Sequence, residues 1–304
     1  MDRQVDVVII GAGPAGMTAA IYASRAGLST LMIDASAPGG QLLKTYLIDN
    51  YPGIPSVSGP DLAIQMYQQS VSFGAEYMYG YVEEVTKEKQ VKLQDGSVIT
   101  AQAVLIATGA KEKQLGIPGE QDAIGHGESF CAVCDGAFFR DKRVVVIGGG
   151  DSALEEAQFL TRFASSVTIV IRRDVFRATE KAKQEVEKND KIHVIRRHIP
   201  KEILLTDGKV SGIVLENTDT HDSITIPCEG VFPFIGHTPE TAFAKDLGIM
   251  DQNGYILTQN GMATAVPGIY AAGDCTYKEL RQVVTACGDG ARAATQIFHF
   301  ITGI

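Results

Sequence analysis

Cys131 and Cys134 are separated by two residues and followed directly by Asp135. Two thiols at that spacing suit dithiol–disulfide exchange, half of a zinc site, or a pair of inert buried thiols. Zinc takes four ligands, and no second CxxC or CxxH occurs in the chain, so no metal site is expected. Cys228, Cys275 and Cys287 stand alone and read as small buried apolar residues. Opening a disulfide with hydride equivalents needs protons, and the carboxyl of Asp135 beside the sulfurs is a group that can supply one. By itself Asp135 equally suits a turn before Gly136.

Redox work by such a pair requires an electron source, and the glycine-rich segments provide the place to look. Val5–Ile10 runs into Gly11-Ala-Gly-Pro-Ala-Gly16 and then into a helical pattern over 17–26. Arg143–Ile147 runs into Gly148-Gly-Gly-Asp-Ser-Ala153 and a helical pattern over 154–163. Each continues into a second strand, at 29–33 and 166–171. Strand, glycine turn and helix in that order let a backbone approach a pyrophosphate seated on the helix N-terminus. One such motif is weak evidence; two in matching context predict two dinucleotide sites and electron transfer between them. That setting favours the redox reading of the cysteine pair.

The end of each second strand separates the sites. A count of 23 residues from Gly11 reaches Asp34, an acceptor for a ribose 2′-hydroxyl. The same count from Gly148 reaches Ile171, followed by Arg172 and Arg173, with Arg177 a helical turn further on. Arginines bind a 2′-phosphate bidentately where an acid would repel it, so the second site is expected to prefer NADP to NAD.

Two further apolar strands end in Thr108-Gly109 and Gly273-Asp274. The stretches around Asp95-Gly96 and Asp207-Gly208 read as antiparallel hairpins. The fold class is therefore α/β: two Rossmann-like dinucleotide-binding domains with antiparallel additions, the second inserted in the first. Boundaries are expected at 1–113, 114–240 and 241–304, near Gly116–Gly119 and Gly236–Pro239, with the strand ending at Asp274 returning to the first sheet.

Length and composition agree. The 304 residues suffice for two domains at about 100–200 residues each. A net charge of −9 lacks the broad basic surface of a sequence-independent nucleic-acid binder. The apolar run 5–23 holds three glycines and a proline and changes period midway, so it reads as strand–turn–helix and not as a membrane span. No signal-peptide pattern is read at the start, and five cysteines make no disulfide scaffold, so a soluble cytoplasmic protein is expected.

Taken in order, GAGPAG (11–16), GGQL (39–42), DNYPG (49–53), ATG (107–109), CAVCDG (131–136), GGGDSALEEA (148–157), RRDVFRA (172–178), IGHTP (235–239), AAGD (271–274) and RQVVTACGDG (281–290) resemble the low-molecular-weight, bacterial-type thioredoxin reductases over essentially the whole chain. The larger glutathione-reductase-like enzymes carry cysteines just after the first glycine motif, and 34–51 has none.

The resemblance implies FAD in the first domain, NADPH in the second, and a homodimer. By motif, Gly11, Gly13 and Ala15 line the FAD pyrophosphate and Asp34 the adenosine ribose. Gln41, Asn50 and Thr108 lie on the flavin side, with Gly273 and Asp274 at the ribityl chain or pyrophosphate. Arg281, Gln282 and Val283 lie near the isoalloxazine. Gly150, Asp151, Ser152 and Ala153 meet NADPH, and Arg172, Arg173 and Arg177 surround its 2′-phosphate. The implied chemistry runs from NADPH through flavin N5 to a Cys131–Cys134 disulfide, with Cys134 nearer the flavin and Asp135 as proton donor. The dithiol then reduces thioredoxin through a mixed disulfide. Rotation of the inserted domain about the two glycine connections would let nicotinamide and disulfide take turns at the flavin.

The chain departs from the family at Ile171, where His is usual before the arginines, and at His126, where Arg is usual on the thioredoxin-facing side. Phe138 and Phe139 are expected on that side too. The rivals are a same-fold reductase serving ferredoxin, flavodoxin or another dithiol carrier, and a redox sensor that binds nucleotide without turnover. The CxxC counts against a ferredoxin- or flavodoxin-linked NADP reductase, whose relatives lack it, and flavin bleaching by NADPH with steady turnover separates an enzyme from a sensor.

Overall fold

The apolar run near the N-terminus becomes a central strand because both of its faces are covered. In the computed structural model, which describes residues 3–45 and 48–304 without the side chains of Val133 and Cys134, β1 (Arg3–Ile10) is fully buried at Val7, Val8 and Ile9. It pairs in parallel with β2 (Thr30–Asp34) on one side and β6 (Val98–Ile106) on the other. The helix α1 (Pro14–Arg25) makes the crossover between β1 and β2. Beyond β2 lies β3 (Glu76–Tyr79), reached through α2 (Gly59–Ser72). The strands β4 (Val82–Val85) and β5 (Gln90–Leu93) extend the sheet antiparallel to β6. The tight turn before β6 places Gly96 at φ +83° and has Asp95 accept from the Ser97 amide and hydroxyl.

The chain leaves this unit after Lys111 and returns at Thr238. Its crossing segments, β7 (Ala110–Glu112) and β15 (His237–Pro239), pair as a two-stranded ribbon. On return, β16 (Ile269–Ala271) adds parallel to β6, so the strand ending near Asp274 does rejoin the first sheet. The last helix, α7 (Val283–Thr302), closes one face against α1. A β-carbon on Gly290 would stand 2.1 Å from the Ala15 carbonyl oxygen, so glycine sets how closely these helices approach.

The second unit spans Glu112–His237. It begins with the short helices α3 (Glu120–Ala123) and α4 (Ala132–Asp135). A parallel sheet then forms from β8 (Arg143–Ile147), β9 (Ser166–Ile171), β10 (Ile192–Arg196) and β14 (Gly230–Pro233), in the order β10-β9-β8-β14. Helices α5 (Asp151–Leu160) and α6 (Glu180–Glu187) are the crossovers. A three-stranded antiparallel sheet, β11 (His198–Thr206), β12 (Lys209–Asn217) and β13 (Ser223–Pro227), interrupts the parallel one in sequence. Both parallel sheets therefore begin on the dinucleotide-fold order 3-2-1-4.

The Gly116–Gly119 stretch is not the crossing itself. It lies inside the second unit, where a β-carbon on Gly119 would strike the Ile203 carbonyl oxygen at 2.1 Å. The Glu120 carboxylate also holds it, accepting from the amides of Leu115 and Gly116 at 2.5 and 2.6 Å.

Beneath that clasp Glu120 and Glu128 are each only 1% exposed. No donor reaches either Glu128 oxygen among the described residues. Two carboxylates can bond only if one keeps its proton. Burial, and then the Glu120 charge, raise Glu128 from the ordinary 4.5 to about 8. The folded protein thus retains a proton that the unfolded chain releases, and stability falls as pH rises through this window. Glu128→Gln should flatten that slope and melt higher at its alkaline end. A gain of about 1 kcal/mol corresponds to about 2–4 °C for a unit of this size. Thermal melts of both proteins across the window check this, and parallel slopes would reject it.

Candidate functional site: two nucleotide cradles and a disulfide-bonded cysteine

The two glycine turns are built alike. Gly11 sits at φ +104°, with the Ala107 carbonyl oxygen 2.3 Å from where a β-carbon would be. Gly148 sits at φ +149°, with the Phe234 carbonyl oxygen at the same 2.3 Å. In each case the strand end turns sharply against the loop that follows the neighbouring strand. Gly13 and Gly150, two residues on, have open space where a side chain would stand. They are also the N-caps of α1 and α5, and neither helix is capped by a side chain. An uncapped helix start behind a concavity with no β-carbon is what a pyrophosphate needs, so the residues present fit a dinucleotide in each unit.

In the first unit Asp34 does more than await a ribose. One oxygen accepts from the Ala12 amide at 2.7 Å and the other from the Ser36 amide and hydroxyl at 2.9 Å. It therefore clips the glycine turn to the end of β2, keeping lone pairs for a further donor. The segment 39–44 folds over the same turn: Gly39 donates to the Ala12 carbonyl at 2.8 Å, and Gln41 Nε2 reaches the Ala110 carbonyl at 2.8 Å. Thr108 Oγ1 donates to the Glu240 carbonyl at 2.6 Å.

Asn50 and Gln282 meet at 3.1 Å, joining two segments far apart in sequence. Gln282 heads α7 in a capping box with Thr285, with Val283 as the first helical residue. Gly273, at φ +78°, packs its backbone on the Ala15 methyl and donates to Asp289, which is ion-paired with Lys278. Asp274 follows in a short 3₁₀ turn. Arg281 lies over the Tyr255 ring at 4.5 Å, and its buried Nε has no hydrogen-bond partner among the described residues.

In the second unit Ala153 is buried in the first turn of α5, Ser152 is exposed, and Asp151 accepts from the Thr179 amide at 2.7 Å. Arg177 donates its amide to the Gly149 carbonyl at 2.7 Å, which draws the loop after β9 onto the glycine turn. The guanidinium groups of Arg172, Arg173 and Arg177 are exposed and make no hydrogen bond or ion pair among the described residues. Ile171 is 4% exposed and packs against Gly149, so the arginine loop begins from an apolar plug.

Cys131 is disulfide-bonded. The side chain of Cys134 lies outside the described residues, so its expected pairing and its position nearer a flavin are not described here. Asp135 ends α4 rather than a turn. Its Oδ2 accepts from the Ser129 hydroxyl at 2.6 Å, and the Cys131 amide donates to that same hydroxyl oxygen at 3.1 Å. Ser129, which no sequence motif singled out, thus links the cysteine backbone to the carboxyl.

The other three cysteines are free. Burial pushes Cys228 up to about 12 and Cys275 to about 11, which makes both inert. Cys287 is half-buried, faces the Tyr51 hydroxyl at 3.9 Å, and is also raised by burial. His126 is exposed. The two phenylalanines divide: Phe138 is 73% exposed, but Phe139 is 6% exposed and packs edge-on to Phe232 at 5.0 Å. Phe139 is therefore core, and its expected place on a partner-facing surface is corrected. No helix among the described residues is long and apolar enough to cross a membrane, and none of their side chains cluster as a metal site.

The family profile for pyridine nucleotide-disulphide oxidoreductases matches residues 5–290. A thioredoxin reductase of Bacillus subtilis is 49% identical over 302 residues, covering 99% of this chain and 96% of that one. The chain belongs to the thioredoxin reductase family. Among solved structures, a thioredoxin reductase of Lactococcus lactis superposes with a TM-score of 0.94 at 44% identity, covering 99% of this chain and 100% of the other. One from T. acidophilum gives 0.90 at 35% identity, covering 97% and 98%. The family uses FAD and NADPH.

The two kinds of glycine should separate by mutation. Gly13→Val places its side chain in open space at φ −82°, so the apoprotein keeps its helical circular dichroism while FAD retained through purification falls at least about tenfold. Gly11→Val meets a carbonyl and should lower soluble yield before any binding is measured. Full flavin content in Gly13→Val would place the dinucleotide elsewhere.

Proposed function

We propose that the protein is an NADPH-dependent thioredoxin reductase in which Cys131 and Cys134 form the redox disulfide. The disulfide-bonded Cys131, backed by Ser129 and Asp135 in the unit that carries the second glycine cradle, is the observation that supports this most directly. Bound FAD would supply a two-electron carrier between NADPH and that disulfide.

The chain's own residues then divide the work. In the first unit the Gly11–Gly13 turn, Ala15 and Asp34 receive the adenosine half of FAD. Gln41, Asn50, Thr108, Gly273, Asp274, Arg281, Gln282 and Val283 lie along the rest of it. In the second unit Gly150 to Ala153 receive NADPH, and Arg172, Arg173 and Arg177 favour its 2′-phosphate. Opening the disulfide takes two electrons and leaves two sulfurs to be protonated. One of the two hydrogens originates in the hydride of NADPH and Asp135 delivers the other as a proton, while Ser129 holds its carboxyl toward the cysteine backbone. The resulting dithiol passes both electrons to the disulfide of thioredoxin through a mixed disulfide, and Cys131–Cys134 closes again. His126 and Phe138, both exposed, belong to the surface that meets thioredoxin. A homodimer and a cytoplasmic location are part of the same proposal.

The test is NADPH oxidation by the purified protein with oxidised thioredoxin, beside Cys134→Ser and with NADH as control. Turnover that depends on thioredoxin, vanishes in the variant and is weak with NADH is the expected result. Bleaching of the flavin with no reduction of thioredoxin would leave the cofactors standing and remove the partner; bleaching without any turnover would favour a sensor. Ser129→Ala should slow disulfide reduction about tenfold, the effect of losing about 1.4 kcal/mol. KM for thioredoxin should stay put and Ser129→Thr should restore most of the rate. An unchanged Ser129→Ala would show that the hydroxyl does not position Asp135.

A further inference from the structure

The sequence motif accounts for three arginines in the loop after β9, but the fold brings a fourth to the same rim. Arg196 is the last residue of β10, the neighbour of β9, and its register partner is Ile171. In an open parallel sheet both strand ends face the crevice where ligands bind. Arg196 Nε donates to the Asp174 carbonyl at 2.9 Å, and its guanidinium lies over the Phe176 ring at 5.7 Å. Phe176 is itself buried behind the glycine turn, close to Gly149. The guanidinium is thereby held in place from two sides, while its two terminal nitrogens have no partner among the described residues.

Charge separates it from the next arginine. Arg197 is held between Asp174, at 3.1 Å, and Asp219, at 2.7 Å. Asp174, the acid within the arginine loop, is thus already engaged. Arg196, like Arg172, Arg173 and Arg177, has no carboxylate partner among the described residues. Four guanidiniums beside one occupied acid make a site for an anion with several acceptor oxygens. Ile171, buried and apolar, adds no donor to it.

We infer that Arg196 is a specificity-determining residue that reads the 2′-phosphate of the coenzyme from β10, opposite the arginines of the β9 loop. The inference rests on the proposed NADPH site in the second unit. It assigns Arg196 to the phosphate and not to the face of the adenine, although a guanidinium can stack there as well.

Calorimetric titration of the flavin-loaded protein with NADP⁺, NAD⁺ and 2′,5′-ADP tests it. Arg196→Met should weaken NADP⁺ and 2′,5′-ADP by about tenfold, the scale of one charge-assisted contact, and leave NAD⁺ unchanged. Arg196→Lys keeps the charge without the fork and should recover part of the loss. Equal weakening of NADP⁺ and NAD⁺ would assign Arg196 to the adenine or to loop shape, and unchanged NADP⁺ affinity would remove it from the site; either overturns the inference. A parent protein that itself binds NADP⁺ no better than NAD⁺ would bring down the coenzyme reading, a failure distinct from that of Arg196 alone.

Discussion

Two carbonyl oxygens, those of Ala107 and Phe234, stand where side chains at Gly11 and Gly148 would have to be. That single steric condition fixes how the chain leaves the central strand of each sheet. Because the turn is pressed against the loop of the neighbouring strand, the following helix starts just past the end of a central strand without a side-chain cap. At Gly13 and Gly150 the start of each helix therefore presents backbone with open space in place of a side chain. Asp34 ends the second strand of one unit, while Arg172 and Arg173 directly follow that of the other, so the two units differ in charge at that place.

The redox segment obeys a different constraint. Residues 128–136 run from a buried carboxyl, through Ser129, into a helix of barely one turn. With so little regular structure, the segment depends on side-chain bonds to hold its shape. The Ser129 hydroxyl accepts a hydrogen bond from the Cys131 amide and donates one to Asp135. Gly136 and Phe139 behind it pack into the core of the second unit, against Phe163 and Phe232.

The parts of this architecture legible in the sequence were those governed by backbone geometry. A glycine required by a carbonyl contact has no substitute, so the two turns and their strands announce themselves in one dimension, and Gly96 and Gly208, in open space at φ +83° and +71°, mark the two hairpins by backbone conformation instead. The return of β16 to the first sheet was legible for a similar reason, as an apolar strand with no other place to pair. What stayed hidden depends on contacts between distant segments. Nothing local separates Phe138 from Phe139; only the position of Phe232 on β14 decides which ring is core. Glu128 looks like an ordinary surface acid until Glu120 is folded against it. Arg196 belongs to no sequence motif, and its place beside the arginine loop follows from the register of β10 on β9.

The first unit is discontinuous in sequence, and that shapes how the protein can be made. During synthesis the ribosome releases β1 through β6, then the whole of the second unit, before β16 and α7 appear. Chains fold unit by unit as they emerge, at about 5–20 residues per second. The second unit therefore has all of its strands while the first still lacks a strand beside β6 and the helix that covers α1. Until the C-terminal helix arrives to seat Gly290 on Ala15, the apolar face of α1 is open to water and to other nascent chains. Order of synthesis thus makes the final stretch of the message the step that completes the first unit's core, and a stall or truncation there leaves a finished inserted unit carried on an unfinished host.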